Sequence, residues 1–355
     1  MLSNLAYLVI VIAGLHYASS VATLFLVALF VAVVSAPAVL WLERRKIPAT
    51  AAAMLVIGAL VATFGGMGAL VGASINGFVA AAPLYRNRLD QQMQIGLQWL
   101  RERGLEAYGL DLLESIEPGS VMSLVGTVMG ALGGLIGNGL IILLVVTFIL
   151  LEVPGMRAKF LAAFPGSPDS LGRFSRIAGL VERYLILKTV LSVATGFFAG
   201  IWVAVLGVDF ALLWGLLAFL LNYIPNFGSV IAAVPPILLA LIQFGVTKAA
   251  LVAAGYLVVN FVFGNVLEPK LMGRSMGLST LMAFLSLLAW GGILGMAGMF
   301  LAVPLTMALR IVLDSEPSTR WLAVLMGPGE EASIPGSPPP ESSESAAAGP
   351  PAAAA

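Results

Sequence analysis

Apolar residues run along this chain in long blocks broken by short polar or Gly/Pro stretches, with none of the period-two alternation of half-buried strands. Blocks at 21–42, 49–71, 121–151, 185–206 and 249–266 predict membrane-length helices, and a shorter one at 5–15 precedes them. Two further blocks of equal length, 211–243 and 279–311, are each interrupted once. The first breaks at Asn222-Tyr-Ile-Pro225-Asn226-Phe-Gly228, the second at Trp290-Gly291-Gly292-Ile-Leu-Gly295. Unbroken, each would form a helix of about 50 Å, against a hydrocarbon core of about 30 Å. The predicted fold is therefore all-α: a polytopic integral membrane protein of about eight membrane segments, two of them broken helical hairpins. Broken helices in corresponding parts of a chain point to a transporter's central site.

The pattern divides the chain into membrane helices over 1–82, an extracytoplasmic amphipathic segment over 83–120 and a membrane helix over 121–151. A cytoplasmic amphipathic linker over 152–184, a transport core over 185–315 and a disordered tail over 327–355 follow. In the first amphipathic segment Tyr85, Leu89, Met93, Leu97 and Leu100 form one stripe, with Arg86, Asp90, Gln94 and Arg101 off it. In the second, Phe174, Ile177, Ala178, Val181, Tyr184 and Leu185 do the same, and both stripes are read as packing surfaces. Gly126, Gly130 and Gly134, four apart, are read as helix-packing positions.

Composition sharpens this picture. Hydrophobic residues make up 60% of the 355, charged residues 10%, and mean hydropathy is +1.02. A soluble domain carries roughly a quarter charged residues. Zero net charge removes the case for a nucleic-acid partner, and the absence of cysteine removes disulfides and thiolate metal sites. The first residues carry no Lys or Arg, so the start is read as two membrane helices around a turn at His16 rather than a signal peptide. Arg44, Arg45 and Lys46, and the basic excess between 152 and 188, predict cytoplasmic loops, while acids outnumber arginines over 83–118. Both termini are then cytoplasmic.

Few residues remain to carry chemistry. Pro225 removes a donor, Gly228 permits a left-handed turn, and freed backbone groups inside a membrane require a cavity or a packed partner. Asn222, Asn226 and Ser229 offer donors and acceptors to a polar solute; the alternative is a proline-kinked helix whose asparagines bond its neighbours. Asn260 and Asn265 lead to Glu268-Pro269-Lys270, a carboxylate closing an apolar run. Glu268 has two open readings, ion or proton coupling and structural pairing with Lys270 or Arg274. Asp209 is a second coupling candidate, read equally as the cap of a helix opening at Ala211. Gly291 and Gly292 give close backbone approach, in a site or in helix packing. No cofactor, metal site or catalytic triad is predicted, so an enzyme is not expected.

At these same residues the chain resembles the autoinducer-2 exporter-like transporters of bacteria. The matching words are Asn222-Tyr-Ile-Pro225-Asn226-Phe-Gly228, Asn265-Val-Leu-Glu268-Pro269-Lys-Leu-Met-Gly273 and the stretch from Trp290 through Gly295 and Gly298 to Pro304. The resemblance spans roughly residues 1–325, and its first word is nearest the quorum-signal branch. It implies a multi-pass inner-membrane transporter of about eight segments and a homo-oligomer, with a pentamer as the candidate form. It implies export of autoinducer-2 or, in other members, cation/proton antiport. It also carries signature roles onto Asn222, Pro225, Asn226 and Gly228, and onto Asn265, Glu268, Pro269 and Gly273. The leading expectation is export of a small polar solute, autoinducer-2 being the named candidate. A sodium/proton antiporter is the alternative, and a membrane scaffold without transport is the third.

Overall fold

The computed structural model describes residues 13–14, 16–102, 118–163, 168–225, 227–272, 278–315 and 318–327. Every regular element among them is helical. In order they are α1 (Ser19–Arg44), α2 (Ala49–Glu102), α3 (Pro118–Gly137), α4 (Gly139–Ala163), α5 (Pro168–Val205), α6 (Ala211–Leu221), α7 (Gly228–Phe244) and α8 (Val246–Asn260). A π-helical stretch Phe261–Leu267, α9 (Glu268–Met272), α10 (Thr280–Ser315) and α11 (Arg320–Met326) complete the order.

Among the described residues, five helices are long and apolar enough to cross a membrane: Ser19–Arg44, Ala49–Ile95, Gly179–Val205, Val246–Leu271 and Leu281–Asp314. Gly139–Glu152, Ala211–Leu221 and Gly228–Phe244 are apolar but shorter. Phe148, Val205, Leu257 and Leu144 stand exposed, as lipid-facing side chains do. This is a multi-pass, all-helical membrane protein.

Several boundaries differ from the sequence reading. The divisions at 82/83, 151/152 and 184/185 each fall inside a continuous helix. Pro83 is accommodated within α2, whose 54 residues reach about 80 Å, so the amphipathic segment extends a membrane helix directly. Its stripe behaves as expected where side chains are described: Tyr85 and Leu89 are buried and Met93 packs beside them, while Arg86, Asp90 and Gln94 are exposed. The single span expected over 121–151 is instead two helices, divided between Gly137 and Gly139. Among the described residues nothing lies within 4 Å of a Cβ added at Gly126, Gly130 or Gly134, so no described neighbour packs closely on them. His16 lies in helix rather than in the expected turn. Most of the segment expected over 5–15, most of the second stripe's side chains and the tail beyond Gly327 lie outside the described residues.

Both interrupted blocks turn back on themselves. In the first, α6 ends at Asn222 and α7 starts at Gly228, where an added Cβ would fall 1.7 Å from the Leu221 carbonyl oxygen. Only glycine fits that contact. The two feet meet: Gln243 Nε2 donates to Asp209 Oδ2 at 2.5 Å, and the Asp209 amide donates to Gln243 Oε1 at 3.2 Å. In the second, Gly295 takes φ 67°, ψ −148° inside α10. Trp290 Nε1 then donates to Thr306 Oγ1 at 2.9 Å. Sixteen residues of straight helix would separate those two by about 24 Å. The reversal is thus centred on Gly295, later than the Gly291-Gly292 pair.

The main core surrounds the first hairpin. Trp214, Leu213, Leu239 and Ile242 are buried there against Val71, Phe78, Tyr85, Val125 and Met129 of α2 and α3, and against Val203 and Val252 of α5 and α8. A second cluster joins α1, α2 and α4 through Ala28, Ala32, Ala53, Val146 and Leu150. A third joins α5 to α10 through Leu185, Leu191, Val303 and Met307.

Candidate functional site

Helix α5 supplies the polar wall of the site. Its apolar faces pack on α6 and α8, which leaves Tyr184, Lys188, Ser192 and Thr195 buried along one side. Close helix contact makes this possible: an added Cβ at Gly196 would lie 2.6 Å from the Gly215 carbonyl oxygen. Small residues of this kind let membrane helices approach backbone to backbone.

The first hairpin brings its turn to this wall. Asn222 Nδ2 donates to Ser192 Oγ at 2.9 Å, and the Tyr223 hydroxyl donates to Thr189 Oγ1 at 2.8 Å. Tyr223 is further held edge-on by Phe30 and Phe219. In this arrangement the turn is held against α5, with the Asn222 side-chain carbonyl oxygen left to act as an acceptor. The opposite wall is the end of α8 and the π-helical stretch. Each i→i+5 turn there shifts the backbone pairing, and such bulges are frequent at functional positions. An added Cβ at Gly264 would stand 2.9 Å from Asn260 Oδ1, so glycine there makes room for that amide.

Between the walls is a cavity of about 530 Å³. Asn222, Ile224, Pro225 and Ser229 line it from the hairpin, and Asn260, Gly264, Asn265, Glu268 and Pro269 from the facing helix. Tyr184 and Lys188 of α5 close one side, and Leu278, Ala283 and Val303 close another. The volume suits a small organic solute. Across it runs an ion pair: Lys188 Nζ donates to both Glu268 carboxylate oxygens, at 2.7 and 2.8 Å. The Lys188 side chain is 3% exposed and that of Glu268 21%, so the lysine is enclosed and the carboxylate faces the cavity. Removing one partner of such a pair leaves an uncompensated charge in an apolar setting and costs about 3–5 kcal/mol.

Structural pairing of Glu268 was expected with Lys270 or Arg274, and the lysine found beside it is Lys188. Lys270, two residues along the helix from Glu268, points away and is exposed; Arg274 lies outside the described residues. Lys188 had read only as one of several cytoplasmic-side charges, and it stands 80 residues from Glu268 in sequence.

Of the expected site residues, Asn222, Pro225, Ser229, Asn260, Asn265 and Glu268 meet in this one cavity. Gly228 makes the hairpin turn beneath it, and Asn226 lies outside the described residues. Gly291 and Gly292 are not among the lining residues; Gly291 packs against Met299 across the second hairpin, and Gly292 meets nothing within 4 Å. Lys188 and Tyr184 were missed, and no motif marks either. Asp209 is at the feet of the hairpin, away from the cavity lining. It does not cap α6, because Phe210 takes the capping position with φ 61°. Its carboxylate instead accepts from the Tyr85 hydroxyl at 2.7 Å and from Gln243, which clasps both feet to α2. Among the described residues, no three His, Asp or Glu side chains gather as metal ligands would.

Comparison with known proteins gives the family. The sequence model of the AI-2E family transporter matches residues 5–317. The chain is similar to the AI-2 transport protein TqsA of Escherichia coli (strain K12), at 39% identity over 322 residues, covering 91% of this chain and 94% of that protein. It is also similar to the putative transport protein YhhT of the same organism, at 36% identity over 94% of this chain and 96% of the relative. A putative transport protein of Haemophilus influenzae matches at 36% identity over 93% and 97% of the two chains. Full-length coverage and a buried polar cavity between broken helices lead to one assignment: the chain belongs to the AI-2E family of transporters, and its work is membrane transport rather than catalysis.

Proposed function

We propose that the chain exports a small polar solute from a bacterial cell across its inner membrane, with autoinducer-2 as the solute. One observation carries the reading: two words of sequence 30 or more residues apart, at 222–229 and 260–269, line the same cavity of about 530 Å³. Its amides, hydroxyl and neutralised ion pair suit an uncharged, hydroxyl-rich molecule better than an ion. The name of the relative TqsA supports the choice of solute. Both hairpins are read as re-entrant from opposite faces, bringing the total near eight membrane segments, with both termini cytoplasmic. The basic residues Arg44, Arg45 and Lys46 support that orientation. Alternating access then follows from movement of the hairpins against the long helices. A homo-oligomer, with five copies as the working count, fits the apolar surface left exposed on α4 and α8.

The test is uptake by inside-out proteoliposomes of autoinducer-2, with and without proton and sodium gradients. Accumulation lost on Asn222→Ala supports the reading, and no movement under any gradient ends the solute assignment. A second reading, sodium/proton antiport, is favoured by Glu268, a titratable carboxylate facing a membrane cavity. It predicts pH-dependent sodium flux that disappears in Glu268→Gln.

A further inference from the structure

Helix α5 shows the first hairpin a line of enclosed polar side chains: Lys188, Ser192 and Thr195, at 2%, 0% and 3% exposure. Spacings of four and three place them on one face. Two of the three are engaged, Lys188 by Glu268 and Ser192 by Asn222. The Thr195 hydroxyl is enclosed and has no hydrogen-bond partner. Four other helical threonines engage theirs within the helix. Thr63, Thr127, Thr147 and Thr189 each donate to the carbonyl four residues earlier, at 2.7 to 2.8 Å. An unsatisfied buried hydroxyl is costly, and more so away from water. A hydroxyl held enclosed and free on the wall where the hairpin turn rests calls for a partner in a second arrangement.

We infer that Thr195 is the second hydrogen-bonding station of Asn222, making it a positioning residue for transport. The first hairpin slides along α5, and Asn222 Nδ2 passes from Ser192 Oγ to Thr195 Oγ1. The inference rests on the transport reading above. The travel is short: three residues of helix rise about 4.5 Å, close to the one-turn ratchets by which packed elements switch. The interface is built for it. Asn222 lies beside Ser192 while Gly215 lies against Gly196 and Gly200, so α6 runs antiparallel to α5 with glycine facing glycine. Gly215 lies against Gly196 and Gly200 together, and a shift of three residues keeps it beside Gly200 while Phe219, now against Gly196, is carried along. Thr195 lies toward the feet of the hairpin. Moving there draws the turn away from Lys188 and Glu268, which opens the cavity floor on that side.

The test is turnover and thermal stability of Thr195→Val and Thr195→Ser in proteoliposomes, beside the unsubstituted protein. Valine removes an unpaired hydroxyl, so thermal stability is expected to hold or rise while turnover falls about tenfold, the loss of one hydrogen bond from one state. Serine keeps a hydroxyl at the same place on α5 and is expected to restore turnover. The inference is overturned if Thr195→Val turns over as the unsubstituted protein does, or if serine fails to rescue a slow valine variant; either outcome leaves Thr195 a packing residue only. Absence of transport by the unsubstituted protein counts against the previous reading, whereas normal transport by Thr195→Val counts against this one alone.

Discussion

The two hairpins begin as near twins in sequence and end with different tasks. The first has polar side chains at its turn, and these are held by partners outside the hairpin: Asn222 by Ser192, Tyr223 by Thr189. The second turns at Gly295 and closes largely on itself, through Trp290 to Thr306 and through Gly298 packed on the Trp290 carbonyl. Its freed carbonyls are met from α1 and the residues just before it: Thr23 Oγ1 donates to the Leu294 oxygen at 3.4 Å, and His16 Nδ1 lies 3.3 Å from the Ile293 oxygen. It reaches the cavity only through apolar arms, at Ala283 and Val303. Matching length and interruption thus describe shape. What the turn offers to its neighbours decides whether it makes a site.

The sharpest way to break this contrast is at the ion pair beside the first turn. Glu268→Gln leaves Lys188 charged and 3% exposed with no counter-ion, and is expected to destabilise the protein by about 3–5 kcal/mol. Transport falls with it. Lys188→Met should cost less, because Glu268 retains 21% exposure, and the double variant should recover stability but not transport. Thermal unfolding in detergent, read beside solute flux, checks all three. A double variant that transports normally would show the pair to be structural.

Next come the glycines that shape each turn. An added Cβ would lie 1.7 Å from the Leu221 oxygen at Gly228 and 2.0 Å from the Trp290 oxygen at Gly298. Both are backbone contacts that no rotamer relieves, so each alanine variant should lose at least about 1–3 kcal/mol, the range for overpacking. The comparison predicts a split in function. Gly228→Ala displaces the cavity wall and abolishes transport, while Gly298→Ala lowers stability but keeps measurable flux. Equal loss in both would merge the hairpins into one site.

Much of this was legible in the residues themselves. Long apolar blocks gave the helical membrane class, and proline, asparagine and glycine marked the first reversal because each alters backbone chemistry locally. The pairing of Glu268 with Lys188 was hidden, since 80 residues separate the two and a lysine near a cytoplasmic helix end reads as a topology signal. Asp209 misled for a similar reason. A carboxylate just before a helix suggests a cap, and only the fold brings Tyr85 and Gln243 to it. The second interruption was read over Trp290–Gly295 without its pivot, because Gly291, Gly292 and Gly295 are equivalent in sequence, and packing alone selects the one with positive φ.

That clasp supplies the third prediction. Tyr85→Phe removes one donor to the Asp209 carboxylate, a charge-assisted bond worth about 1.5–3 kcal/mol. Gln243 still holds Asp209 and the apolar packing on α2 remains, so the hairpin keeps its shape but loses this polar tie to α2. Stability should drop by part of that range and flux should change about twofold or less. A larger loss of flux would place the feet, and not the turn alone, in the transport step.

The smallest effects belong to the second hairpin's tip. Thr23→Val takes away a long, weak bond to the Leu294 carbonyl, worth at most about 0.5–1 kcal/mol. Gly292→Ala adds a methyl where nothing lies within 4 Å. A helical alanine there should be neutral or slightly stabilising. Neither change should alter the rate or the selectivity of transport, since both lie on the side of the hairpin that faces α1 or open space. The pair of variants is therefore a null control for the first hairpin, read in the same flux assay. If Gly292→Ala alone slowed transport while leaving stability untouched, the glycine turn would contact solute in some state. The second hairpin would then share the site that the first one builds.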